Sequence, residues 1–309
     1  MKVSTRGMRN NRFVFLFVLL SVGLVLRYSS QKHPFESLKR DLSGLIGTAR
    51  AELPQILKKE DVARDGYDSE ATDTKEGGDT HTLDEYLPAY GKKDQIIRRE
   101  GYVLDYQEEY EQASWVVHRL LNKTGRARRA ENFQPDPLVK TKTALPFDYS
   151  GTGYDRGHLA PAGDFNYDQR LKYDTFYMSN MSPQAHDFNT GIWNDIEQKV
   201  RSWSKKRGDL VIVTGPVLRK GLPTIGKSTR IAVPEYYYKL VYDPQKEEAI
   251  AFLIENKAWV DVLMKDFTTS IDEVEEKTGI NFFARLPKKL QDTIESQHDV
   301  QAWFGRSRK

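Results

Sequence analysis

Residues 151–163 read Gly-Thr-Gly-Tyr-Asp-Arg-Gly-His-Leu-Ala-Pro-Ala-Gly. Glycines on both sides of Asp155-Arg156-Gly157-His158 permit sharp turns and a close approach of backbone to a ligand. A histidine titrates near neutral pH, so His158 suits general-base work, and Arg156 beside it offers an anion clamp. Taken alone, the four residues fit a loop histidine satisfied by a backbone carbonyl better than a catalytic one. Two further clusters follow. One is Ser179-Asn180-Met181-Ser182-Pro183-Gln184; the other is a helical stretch that begins near Asn189. At about 100° per residue, Ile192, Ile196, Val200 and Trp203 share one apolar stripe, with Asn189 in its middle and Glu197 on its edge. A carboxylate bordering a packed face needs a partner or a cation. The same spacing also fits an N-cap Asn and a solvated rim Glu.

The elements that must hold these residues are mixed. Tyr102–Tyr106 and Trp115–Leu121 carry the aromatic and β-branched content of strands. Leu210–Thr214, closed by Gly215-Pro216, reads as a buried strand. Tyr236–Tyr242 and Ala249–Ile254 flank Asp243-Pro244 and predict a hairpin. Thr190–Lys205, Ala258–Phe267 and Ile271–Thr278 read as helices. Strands interleaved with a few helices, without regular βαβ spacing, predict an α+β domain.

Composition narrows the chemistry. The 309 residues contain no cysteine, which excludes disulfide scaffolds, Cys-based zinc sites and thiol catalysis. Net charge is only +3, so nucleic-acid binding needs a local argument rather than a global basic excess. The first thirty residues differ from the rest. Lys2, Arg6, Arg9 and Arg12 precede the apolar run Phe13 to Leu26, a pattern that fits a cleaved secretory signal and an uncleaved anchor about equally. A mitochondrial presequence is a third option, although the run is apolar on every face. Residues 34–57 predict a helix. Residues 58–80 hold four basic and eight acidic residues and read as a solvated, disordered linker. A single domain is therefore expected over 81–309, after a signal or anchor (1–30) and a helix-plus-linker segment (31–80).

Asp155-Arg156-Gly157-His158, Ser179-Asn180-x-x-Pro183-Gln184, and Asn189 followed by Trp193 and Glu197 together resemble the DNA/RNA non-specific endonucleases of the ββα-metal (His-Me finger) type. From His158 the offsets are 22 to Asn180, 31 to Asn189 and 39 to Glu197. Asp174-Thr175-Phe176-Tyr177 and Thr214-Gly215-Pro216 add to the likeness, which extends over most of 101–255. The resemblance implies a ββα-metal fold with a central, mostly antiparallel sheet flanked by helices.

It also implies roles. His158, as neutral imidazole, takes the proton of the attacking water. Asn189 is the direct protein ligand of one Mg²⁺, which characteristically keeps most of its waters; Mn²⁺ can substitute. Glu197 holds a water of the metal's shell. Asn180 positions His158 or the phosphate. An arginine clamp is expected some thirty residues earlier, among Arg126, Arg128 and Arg129, and spacing to Phe133 and Asp136-Pro137 favours Arg129. The expected activity is Mg²⁺-dependent, sugar-non-specific cleavage of DNA and RNA. Its rival is a catalytically weak nucleic-acid-binding protein on the same fold; a two-metal phosphatase would want more carboxylate or His ligands. A homodimer is compatible with this reading. The expected location is exported, periplasmic or secreted, with membrane attachment through residues 13–26 if uncleaved; the mitochondrion is the alternative. Asp164-x-Asn166-x-Asp168 is set aside as a calcium loop, because Gln169 stands where the turn glycine belongs.

Overall fold

The computed structural model describes residues 80–128 and 132–305, all within one compact unit. The expected signal or anchor, the helix at 34–57, the acidic linker as far as Asp79, and Arg129 lie outside the described residues. No helix among the described residues is long and apolar enough to cross a membrane.

The strands are β1 (Gln95–Arg98), β2 (Tyr102–Gln107), β3 (Gln112–Leu120), β4 (Tyr154–His158), β5 (Met181–Ala185), β6 (Leu210–Pro216), β7 (Thr224–Ile225), β8 (Ile231–Ala232), β9 (Tyr236–Asp243), β10 (Glu248–Glu255) and β11 (Thr268–Thr269). Seven of them make one sheet, ordered β1-β2-β3-β6-β9-β10-β11, with every neighbouring pair antiparallel. β4 with β5, and β7 with β8, form separate two-stranded ribbons. The α-helices of five residues or more are α1 (Gln169–Asp174), α2 (Asn194–Arg207), α3 (Ile271–Thr278), α4 (Lys288–Glu295) and α5 (Val300–Phe304). The α+β class and the antiparallel central sheet are as expected.

Alternation along the strands feeds two cores. Val116, Ile212, Tyr237, Val241 and Phe252 point to one side and pack with Ile192, Trp193, Ile196, Val200 and Trp203. Val117, Val211, Val213, Tyr238 and Leu240 point to the other and pack with Ile271, Val274, Phe282 and Ile294. Because both faces are covered, β6 reads as a continuous apolar run rather than an alternating one. Burial of each large side chain contributes about 1.5–3 kcal/mol. The chain leaves the sheet after Leu120 and returns at Leu210, and these two residues are register partners. All of 121–209 is therefore one excursion between two adjacent strands.

Two expectations are corrected. Ala258–Phe267 is not a helix: only Met264–Phe267 forms a 3₁₀ turn. Asp261 has φ 54°, which interrupts any helical hydrogen-bond run, and Val260 and Leu263 are exposed with no face to cover. Thr190–Lys205 is not one regular helix either. A π turn, Asn189–Trp193, precedes α2, with Gly191 at φ −97°, ψ −115°. The extra residue in that turn takes Asn189 off the buried stripe and leaves it half-buried.

Candidate active site on a strand ribbon and a kinked helix

The site is built where the β4–β5 ribbon meets the N-terminal end of α2. His158 pairs with Met181 and Gly157 with Ser182 in the ribbon's register. A Cβ on Gly157 would overlap the side chain of Gln184. Gln184 is fully buried, so a side chain at position 157 would force it to shift within the core.

The His158 ring is held by carbon rather than by hydrogen bonds. Phe176 meets it edge-on at 4.8 Å between centroids, and Phe133 lies at 5.8 Å. Its Nε2 is shielded from solvent and has no hydrogen-bond partner among the described residues. Burial pushes the imidazole down to about 4, so it is a neutral base at physiological pH. Arg156 caps the other side of this aromatic cluster. Its guanidinium sits 4.3 Å from the centre of the Phe133 ring, and its Nη1 donates to Pro146 O at 3.1 Å.

Asn180 is spent on the backbone. Its Nδ2 donates to Ala160 O (3.0 Å) and Thr175 O (2.8 Å), and its Oδ1 accepts from Ala160 N (2.8 Å). It thereby fixes the chain just past His158 without touching the ring. Ser179 beside it donates to buried Asp136, which is also paired with Arg99.

Asn189 joins the helix to the ribbon. Its Nδ2 donates to Asp155 Oδ2 at 2.9 Å, and His186 Nδ1 lies 3.0 Å from the same oxygen. With Nδ2 committed, the amide oxygen of Asn189 is the free atom; among the described residues nothing hydrogen-bonds to it. Asp155 and His158 stand on the same strand, so this one bond brings the metal-ligand candidate to the base candidate's strand.

Glu197 lies two turns farther along and is 14% exposed. Arg201, one turn on, approaches it at 3.8 Å while donating to Asp164 Oδ1 at 2.7 Å. His118 Nε2 lies 2.9 Å from Asp164 Oδ2, deep under the sheet. Burial alone would raise Asp164, but His118 and Arg201 hold it below its ordinary value. Lys239, 1% exposed on β9, donates to Thr214 Oγ1 at 2.7 Å and lies 4.7 Å from the centre of the Trp193 ring. Burial pushes the Glu197 carboxyl up and the Lys239 ammonium down, and each pulls the other back toward its charged form. The helix's far end has a structural duty: Arg207 pairs with Asp243 and Glu248, both at 2.7 Å, while Lys205 and Lys206 are exposed. Arg126 and Arg128 are exposed as well.

Sequence reasoning passed over Asp155, Arg201 and Lys239 as working residues. Asp155 was in plain view inside the motif. Arg201 carries an i,i+4 signal from Glu197. Lys239 is a cation inside a strand otherwise buried on both faces, and such a residue demands a partner. His118 is a core residue with a carboxylate partner.

A donor set of an amide oxygen and a carboxylate is hard, and fits a Mg²⁺-like ion that takes few protein ligands. The family model for DNA/RNA non-specific endonuclease matches residues 82–289. Nuclease C1 of Cunninghamella echinulata var. echinulata is 36% identical over 212 residues, covering 62% of this chain and 83% of that protein. Human mitochondrial endonuclease G is 30% identical over 213 residues, covering 62% and 70%. For mitochondrial nuclease EXOG of Danio rerio the figures are 31% over 222 residues, 66% of this chain and 64% of that protein, just under two thirds of its length. A chain in the crystal structure of an EndoG/EndoGI complex superposes with a TM-score of 0.60 at 26% identity, covering 68% of this chain and 93% of that one. The chain belongs to the DNA/RNA non-specific endonuclease family, and it is an endonuclease.

Proposed function

We propose that this enzyme hydrolyses phosphodiester bonds in both DNA and RNA, with Mg²⁺ as its metal and Mn²⁺ as a substitute. The observation that carries the reading is the Asn189–Asp155 hydrogen bond, which ties a free amide oxygen to the strand bearing a neutral, unpartnered His158. His158 accepts the proton of the attacking water. Asn189 and Glu197 would hold the metal, one directly and one through water. When bound, Mg²⁺ supplies charge stabilisation for the phosphate and the departing oxygen. Arg156, stacked on the Phe133 ring that also packs near His158, would take the phosphate, and Arg129 would add a second cation from the preceding segment. Asn180 positions the backbone after His158. Contacts confined to phosphate would touch neither the 2′ position nor a base edge, and so would make the enzyme indifferent to both sugar and sequence.

The full-length chain, incubated with supercoiled plasmid and with RNA, should cut both with Mg²⁺ and neither with EDTA. Intact substrates that are nonetheless bound would favour the catalytically weak nucleic-acid-binding alternative. For location, the zebrafish, yeast and human relatives are mitochondrial nucleases, which favours the mitochondrion over export for this chain. Cell fractionation tests this. Recovery of the chain in the mitochondrial fraction is expected; recovery in the medium or periplasm would overturn it.

A further inference from the structure

We propose that Asp272, Glu275 and Glu295 form a second cation site, remote in chain position from the nuclease residues and suited to Ca²⁺. Asp272 and Glu275 stand on α3, three residues apart and so on one face. Glu295 ends α4. One carboxylate oxygen from each residue lies within 4.8 Å of the other two. Ca²⁺ binds oxygens at about 2.3–2.6 Å, so two ligands on opposite sides of one ion are about 4.6–5.2 Å apart, and three oxygens this close fit one coordination sphere. Ca²⁺ also tolerates irregular carboxylate sets completed by water, which three ligands from two helices would require.

A second observation points to a ligand. Glu295 is 4% exposed, and its Oε1 is shielded from solvent with no hydrogen-bond partner among the described residues. A buried carboxylate without a partner either holds its proton, which burial and the neighbouring Glu275 favour here, or is answered by a cation that displaces that proton. The neighbours do not answer it fully. Lys288 is the cation that acts on both glutamates, but its Nζ is committed to Asp292 Oδ1 at 2.7 Å. Glu275 accepts from Phe282 N at 2.7 Å through Oε1, which leaves its second oxygen free. Ile271 and Val274 of α3 and Ile294 of α4 pack into the same core against the sheet. An ion shared by Asp272, Glu275 and Glu295 would fasten one helix to the other over that core.

The test uses the full chain carrying Asn189→Ala, which removes the proposed metal ligand of the nuclease site. Thermal unfolding is followed in EDTA and in millimolar CaCl₂, and calcium stoichiometry is measured by titration calorimetry. Calcium should raise the Tm of this variant by about 5 °C at concentrations well above Kd, with one ion bound per chain. Adding Glu295→Gln, or the milder Asp272→Asn at an exposed position, should abolish both the shift and the heat. No calcium-dependent shift in Asn189→Ala, or an unchanged shift in both added variants, would overturn the proposal. The readout is independent of nuclease activity, so failure here leaves the nuclease reading standing.

Discussion

At the scale of single residues, the histidine is the informative group. His158 is neutral because burial disfavours its cation. Its sign for stability follows directly. Above about pH 6.5 neither the folded nor the unfolded chain holds a proton there, and the folded state has its full stability. As pH falls toward about 4 the unfolded chain is protonated first, so this stability is progressively lost. His158→Ala should therefore flatten the acid side of the stability curve between those values, measured by thermal unfolding against pH. It should also reduce cleavage by about 10²–10⁴-fold while DNA binding persists; cleavage at the wild-type rate would refute the general-base role. Asp155 offers a finer test. Its carboxylate fixes the Asn189 amide, so Asp155→Ala should raise the Mg²⁺ concentration needed for half-maximal rate by about 10–100-fold with little change in saturated rate. An unchanged Mg²⁺ requirement would mean that the Asn189 orientation does not depend on this bond.

At the scale of elements, the ribbon and the helix are positioned by tight packing rather than by propensity. Gly157→Ala should destabilise the fold by about 1–3 kcal/mol, because Gln184 occupies the space that a Cβ needs. Adding Gln184→Ala should recover part of that loss in a denaturant titration; no recovery would mean that the backbone, not the side chain, sets the limit. The two positions also show why legibility was uneven. The long strands β3, β6, β9 and β10 were readable because their side chains are largely apolar or aromatic, and Asp243-Pro244 marks the β9–β10 turn; Gly215-Pro216, expected to close its strand, instead continues β6 and pairs with Tyr237 and Tyr238 of β9. β4 and β5 were not, because Asp-Arg-Gly-His and Met-Ser-Pro-Gln-Ala have strand geometry with site chemistry. The residue types of the site were legible through spacing, but the π turn was not: a regular 100° phase put Asn189 under the helix, whereas the wider turn swings it toward Asp155. Lys239 and Arg201 each carried a local signal, but which groups they meet was not legible, because Thr214, Trp193 and Asp164 are near them only in the fold.

At the scale of the whole molecule, the sheet covered on both faces sets the rigidity of everything attached to it. Amide hydrogen exchange should be slowest in β3, β6 and β9, which lie in the middle of the sheet with both neighbours paired, and fastest in the segment 256–263. Slowest exchange in the β4–β5 ribbon would contradict this order. The excursion between Leu120 and Leu210 has a consequence for synthesis. A growing chain has already made His158, Asn180, Asn189 and Glu197 by the time Arg207 is added. It still lacks β6 and β9, the surface on which α2 rests and the source of Lys239. Ribosome-bound chains arrested at Arg207 should leave RNA intact, and chains whose exposed part extends past Glu255 should cut it. The order in which the polypeptide emerges thus delays assembly of the site until β6 and β9, which follow every one of its motif residues, have left the ribosome.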